Sequence, residues 1–361
     1  MRLSKRSKVN PFIVMDVMEA ARAAEAEDRR IIHMEVGQPS TPAPLQARQA
    51  VVEALQRDPL GYTVALGLPD LRQGIARLYM QWYGVDLDPN RVVVTSGSSA
   101  GFLLAFTALF DPSARVGIAA PGYPSYRQIL KALSLQPVDI PTHAERSHQL
   151  RVQDVAVHPL DGLLVASPGN PTGTMLDKTA LKALVEHAEE RSIGFISDEI
   201  YHGIEYDKKA VTALEVTDSA YVINSFSKYF SMTGWRVGWL VVPEDHVRSI
   251  ERLAQNMFIC PPHVSQIAAL AALDSGDEMT KNLAVYAENR RLMLVGLPQA
   301  GIAKIAPPDG AFYIYADISE FGVDSRTFAA EVLAEAGVAL TPGLDFDPLR
   351  GGQTIRMSYA Q

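Results

Sequence analysis

The sequence predicts an α/β protein, and three observations predict it. Apolar runs of strand character recur at residues 91–95, 116–120, 160–167, 193–198 and 221–223, and helical stretches such as residues 178–191 lie among them. Small and polar residues follow directly on these runs, at the strand ends where open α/β sheets place their ligands. With 361 residues, 47% of them hydrophobic and 20% charged, the chain can bury a sizeable core in one larger and one smaller domain.

Composition excludes several classes. A net charge of −8 and a pI near 5.5 argue against general binding to nucleic acid. The one cysteine, Cys260, rules out an internal disulfide framework and reads as a small buried side chain, since no motif surrounds it. The eight histidines show no ligand spacing with cysteine or carboxylate, so no metal site is expected. Arg2, Lys5, Arg6 and Lys8 make the amino terminus basic, but no long apolar run follows to form a signal peptide or a membrane span. A cytoplasmic location is the expectation.

Taken in order, apolar residues at helical spacing (Ile13, Val14, Val17, Met18, Ala21) predict a helix over residues 11–28, after an arm able to reach a partner subunit. Residues 31–37 read as a short strand ending at Gly37, then a proline-punctuated loop to Pro44. Helices are expected at 45–57 and 68–83, with Tyr62 in the loop between them. The strand at 91–95 runs into Ser96-Gly-Ser-Ser-Ala-Gly101 and a helix to Phe110. A strand, a small-residue turn and a helix start make an anion cradle, so Gly97, Ser98 and Ser99 are candidate phosphate ligands. The turn is neither a Walker loop nor a dinucleotide fingerprint. Tyr123 follows the strand at 116–120, Asn170 follows 160–167, and Asp198 and Tyr201 follow the run from 193.

The densest stretch is residues 224–239. Lys228 lies just past a strand end, with Ser225, Ser227 and Arg236 nearby. A lysine amine desolvated by aromatics and held near a cation loses its proton readily, as a Schiff-base nucleophile requires. The arginine suits a phosphate. An aldehyde and a phosphate on one ligand point to pyridoxal phosphate. A loop lysine followed by a surface arginine is the ordinary alternative, and each other candidate also has an ordinary use: a turn at Gly37, a cap at Asp198, a packed ring at Tyr123.

The pattern S-x-S-K-x-x-x-x-x-G-x-R-x-G, formed by Ser225, Ser227, Lys228, Gly234, Arg236 and Gly238, resembles the class I/II aminotransferase family of fold-type I pyridoxal phosphate enzymes. The N-P-T-G string at 170–173, the Tyr62, Gly67, Leu71, Arg72 signature, the G-A-F-Y string at 310–313 and the R-x-S-Y-A string at 356–360 extend that resemblance across the chain. It implies a mostly parallel sheet flanked by helices, with an arm and part of a small domain in residues 1–44, a large cofactor-binding domain in 45–280 and a small α+β domain in 281–361. A long inter-domain helix should follow Pro262.

The resemblance also implies roles. Lys228 would carry the cofactor and then act as general base and acid, Asp198 would keep the pyridine nitrogen protonated, and Asn170 and Tyr201 would meet the phenolic oxygen. Tyr123 would stack on the ring. Gly97, Ser98, Ser99, Ser225 and Arg236 would hold the cofactor, with Tyr62 reaching the phosphate of a neighbouring subunit in a homodimer. Arg356 would fork the substrate α-carboxylate, beside Gly37 and Asn170. The expected reaction moves an amino group from an L-amino acid to a 2-oxo acid by a ping-pong sequence. A carbon–sulfur β-lyase is the alternative on the same fold; a DNA-binding regulator or a silent scaffold is disfavoured by the chain's span and the intact Lys228, Asp198 and Arg356. Serine at 99, where relatives that prefer acidic substrates can carry lysine, leans toward neutral, sulfur-containing or aromatic amino acids. The family's usual final helix has no counterpart after residue 361, an expectation that bears on the stability and closure of the small domain.

Overall fold

The computed structural model describes residues 2–360. After β1 (Ile32–His33), which pairs elsewhere, come β2 (Val92–Thr95), β3 (Arg115–Ala120), β4 (Gln136–Pro141), β5 (Gly162–Ala166), β6 (Gly194–Asp198), β7 (Tyr221–Ser225) and β8 (Gly238–Val241). These seven form one sheet in the order β2-β8-β7-β6-β5-β3-β4. The pairs among β3 to β7 are parallel, whereas β8 runs antiparallel to both neighbours because only the lysine loop separates it from β7. Helices cover both faces, so β2, β7 and β8 are buried at every position, which is why they read as unbroken apolar runs.

Three elements differ from the sequence expectation. β4 was not anticipated, since Pro137 and Pro141 argue against a strand; it lies at the sheet edge, where missing N–H groups are tolerated. The strand expected at 31–37 shrinks to the two residues of β1, and the segment beyond it turns toward the site. The helix after Pro262 is not the long one. It ends at Ala272 (His263–Ala272), and the 24-residue helix is Gly276–Gln299, because the polar residues Asp274 and Ser275 and then Gly276 break the run before Asp277 and Glu278 favour a new amino terminus. The first helix, α1 (Ile13–Ala26), falls within its expected range.

Near the carboxyl end, β9 (Tyr313–Asp317), β10 (Val338–Ala339), β11 (Thr341–Pro342) and β12 (Thr354–Ser358) complete the strands. β11, β12 and β9 make a separate antiparallel sheet with β12 central, while β10 pairs in parallel with β1. The segment bearing Lys228 is held by aromatic packing. Phe226 and Phe230 are buried with ring centroids 4.9 Å apart, and Phe226 meets Trp239 at 5.1 Å, whose indole N–H donates to Tyr79 at 3.2 Å. Burying each such ring is worth ~2–3 kcal/mol, so this loop is among the firmly held parts of the molecule.

Candidate active site

Strand ends bring the candidates together. Thr95 pairs with Gly238, and Gly238 with Ser225, so one row across β2, β8 and β7 sets the small-residue turn beside the lysine loop. Asp198 pairs with Ala166 and Ile223, which places the ends of β5, β6 and β7 side by side. Arg356 arrives from the separate sheet, paired between Thr341 and Tyr315.

These groups line a cavity of about 600 Å³. Lys228 Nζ donates to the carbonyl of Gly37 at 2.5 Å. Burial, then the cations of Arg356 and Arg236, push its pKa down to about 7 against the opposing pull of Asp198, so the amine is close to half neutral near physiological pH. Asp198 is 3% exposed; burial raises its carboxyl to about 6, although the hydroxyl of Tyr126 and the N–H of Ile200 both donate to it and oppose that rise. Such an acid is ready to meet a cationic ring nitrogen, which would restore its charge.

Arg356 is buried between the rings of Tyr313 and Phe346, at 4.6 and 4.7 Å. Its terminal nitrogens donate to Asn170 Oδ1 at 3.1 Å, to the Glu35 carbonyl and to Thr341 Oγ1 at 3.3 Å, but buried Nε has no partner. A buried guanidinium that lines the cavity with one donor still unpartnered is suited to a carboxylate. At the other end, Gly97 has φ +74°, and a Cβ there would stand 2.3 Å from the Arg236 guanidinium. The helix Gly97–Leu109 begins here with no side-chain cap from Ser96, which leaves an anion cradle of helix start, Ser98, Ser99 and Arg236. Cradle, buried acid, lysine and the cavity-lining arginine fit pyridoxal phosphate and an amino acid together.

Other candidates fall as follows. Tyr123 and Tyr201 line the cavity, the latter sharing a 2.6 Å hydroxyl contact with Tyr313. Gly37 is packed against Tyr313, whose hydroxyl would lie 2.0 Å from an added Cβ. Ser227 lines the cavity, whereas the buried Ser225 hydroxyl faces Ser227 and the Val237 carbonyl and braces the loop from behind. Tyr62 is 83% exposed and does not reach the cavity of its own chain.

Comparison with known proteins agrees with this geometry. The sequence profile described as aminotransferase class I and II matches residues 29–361. The chain belongs to the class I and II aminotransferase family. It is 47% identical to the valine–pyruvate aminotransferase of Mycobacterium tuberculosis over 99% of this chain and 94% of that one. It is 31% identical to an aspartate aminotransferase of Pyrococcus horikoshii over 99% of this chain and 91% of the relative. The solved structure of an aminotransferase from Mycobacterium tuberculosis superposes with a TM-score of 0.98 at 46% identity, covering 100% of this chain and 95% of that one. The enzyme is therefore a transaminase on the fold-type I architecture, and aminotransferases of this family generally depend on pyridoxal phosphate.

The sequence reading missed part of this aminotransferase site. Tyr126, the partner of Asp198, lies three residues after Tyr123, just inside the helix Pro124–Ala132, where that spacing puts both rings on one face. Tyr313 lay within the G-A-F-Y string without a role. Phe12, Val14, Met15 and Met18 bring α1 and its approach to the cavity, which Val36 and Ile200 also line. The helical spacing signalled an apolar stripe, but nothing local told which neighbour it would face.

Proposed function

We propose that this aminotransferase binds pyridoxal 5′-phosphate and moves the amino group of neutral aliphatic L-amino acids, valine among them, to a small 2-oxo acid. The supporting observation is the cavity lining: its cations are Lys228, Arg236 and Arg356, each matched to cofactor or α-carboxylate, while Phe12, Val14, Met15, Met18, Val36 and Ile200 form an apolar wall and the unassigned polar side chains, Gln38 and Thr233, are uncharged. A second carboxylate on the substrate would be desolvated there without a cationic partner. The relative named valine–pyruvate aminotransferase supports the same choice.

When bound, pyridoxal phosphate supplies an aldehyde that captures the substrate amine and a ring that accepts the Cα–H electron pair. Gly97, Ser98, Ser99 and Arg236 would hold its phosphate, Tyr123 would pack on the ring, and Asn170 and Tyr201 would serve the phenolic oxygen. Ser225 keeps the loop of Lys228 in place. Asp198 holds a proton on the ring nitrogen, and Tyr126 fixes the orientation of that carboxylate. Arg356 forks the α-carboxylate beside Gly37, presenting the substrate Cα–H to Lys228. Nζ of Lys228, near neutrality, would take the proton from Cα as general base and deliver it to the cofactor's C4′ as general acid. Tyr62 completes the phosphate site of a partner in a homodimer, which makes the dimer the working unit. The chain divides at about residues 44 and 280 into an arm, a large domain and a small domain. None of the helices among the described residues is long and apolar enough to cross a membrane, and the cytoplasm is the proposed place of action.

The test is amino transfer to pyruvate from a panel of valine, alanine, methionine, phenylalanine and aspartate, following kcat/KM. Valine should exceed aspartate by at least about 100-fold, the scale set by one unpaired buried charge. Aspartate equal to or faster than valine overturns the substrate reading and requires a cation from outside this chain's own cavity lining.

A further inference from the structure

The chemistry above leaves unused a buried carboxylate directly behind the substrate anchor. Glu35 is 0% exposed; its Oε1 meets His33 Nδ1 at 2.9 Å, and its Oε2 has no partner. The other ring nitrogen of His33, Nε2, meets Glu25 Oε1 at 2.9 Å. Ionised carboxylates only accept hydrogen bonds, so both contacts together require a hydrogen on each ring nitrogen, which is the imidazolium. Each end of this bridge is tied to the cavity. Glu25 lies in the last turn of α1, the helix whose Val14, Met15 and Met18 form the apolar wall. The Glu35 carbonyl accepts from Arg356 and from Thr341 Oγ1 at 2.9 Å, and the next residues, Val36 and Gly37, line the cavity, with Gly37 receiving Lys228.

We propose that protonated His33 is a positioning residue that clamps α1 onto the segment holding Arg356, so that binding of a carboxylate substrate is coupled to one proton on His33. The proposal rests on Arg356 being the carboxylate anchor. The charges facing His33 are Glu35, two residues beyond it in the segment that follows β1, and Glu25 on α1, while Val338 and Ala339, across from β1 on β10, carry none. Both acids raise the His33 pKa above its ordinary value, opposed by partial burial. A neutral imidazole keeps only one N–H. Losing the contact to fully buried Glu35 costs more than losing that to half-exposed Glu25, which can turn to water. Deprotonation therefore releases the α1 side of the clamp. The coupling is fully present at low pH and fades as pH rises through the raised His33 pKa.

Binding of 3-methylbutanoate, a branched carboxylate with no amine to react, to the cofactor-loaded enzyme tests this by calorimetry from pH 6 to 9. The wild type should lose about fivefold more affinity over that range than His33→Gln, the lower end of ordinary coupling between sites. Comparing the two cancels the shared contribution of Lys228. Glu25→Gln, on the exposed side of the bridge, should fold normally and move the inflection to lower pH. A histidine that serves only stability would shift Kd by one factor at every pH. Parallel pH profiles for wild type and His33→Gln, or an unmoved inflection in Glu25→Gln, overturn the proposal while leaving the anchor intact. Absence of binding at any pH overturns the anchor reading and this proposal together.

Discussion

Replacing Arg356 with lysine retains the positive charge and removes the planar fork. In the wild type the guanidinium is stacked between Tyr313 and Phe346 and tethered to Asn170, Glu35 and Thr341, with buried Nε unpartnered and the residue lining the cavity. A substrate α-carboxylate takes two parallel charge-assisted bonds from such a fork, each worth about 1.5–3 kcal/mol, and an ammonium retains one of them. The expected loss is the other bond, or roughly 10- to 150-fold in kcat/KM at about 1.4 kcal/mol per decade. The assay follows transfer from valine to pyruvate beside transfer from isobutylamine, which has the same side chain and no carboxylate. The loss should appear with valine and vanish with the amine, while cofactor absorbance stays in place. An equal loss with both donors, or a loss below about threefold with valine, would refute the assignment of Arg356 to the carboxylate.

Three further outcomes are expected. Asp198→Asn should abolish useful activity yet stabilise the cofactor-free protein at pH 8. The raised carboxyl pKa means the native state prefers the protonated acid, so its contribution is complete below about pH 3.8 and is lost as pH rises through about 6, a difference of about 3 kcal/mol. Urea melts at pH 5 and pH 8 check this: a gap between variant and wild type that fails to widen at pH 8 contradicts it. In the cofactor-free protein, competitive acetylation of Lys228 should reach half its limiting rate near pH 7, and Arg236→Gln should move that midpoint upward, since Arg236 is one of the cations lowering it. Tyr62→Phe and Lys228→Ala chains, each impaired alone, should recover activity when refolded together, because the mixed dimer holds one site with Lys228 from one chain and Tyr62 from the other. No recovery would place Tyr62 outside the partner's site.

Much of the chemistry was written locally. Lys228, Asp198, Asn170 and the Gly97 turn each follow a buried apolar run within a few residues, and a strand followed by a small-residue turn is a short-range pattern set by backbone geometry and burial. Their convergence also follows from that pattern, since strands of one parallel sheet present their carboxyl ends on one edge whatever their distance along the chain. The tertiary structure decided the rest. Tyr126 on Asp198, Tyr313 against Gly37, and the His33 bridge between α1 and Glu35 depend on which helix face meets which strand, a matter of packing across large sequence separations that leaves no periodic trace. The apolar stripe of α1 shows this division clearly. Its spacing dictated a helix with something to bury, but only the fold turned Val14 and Met18 toward the cavity and Ile13 and Val17 toward a groove shared with the helix Ser325–Ala336, because hydrophobic burial is non-directional and selects a partner only by shape.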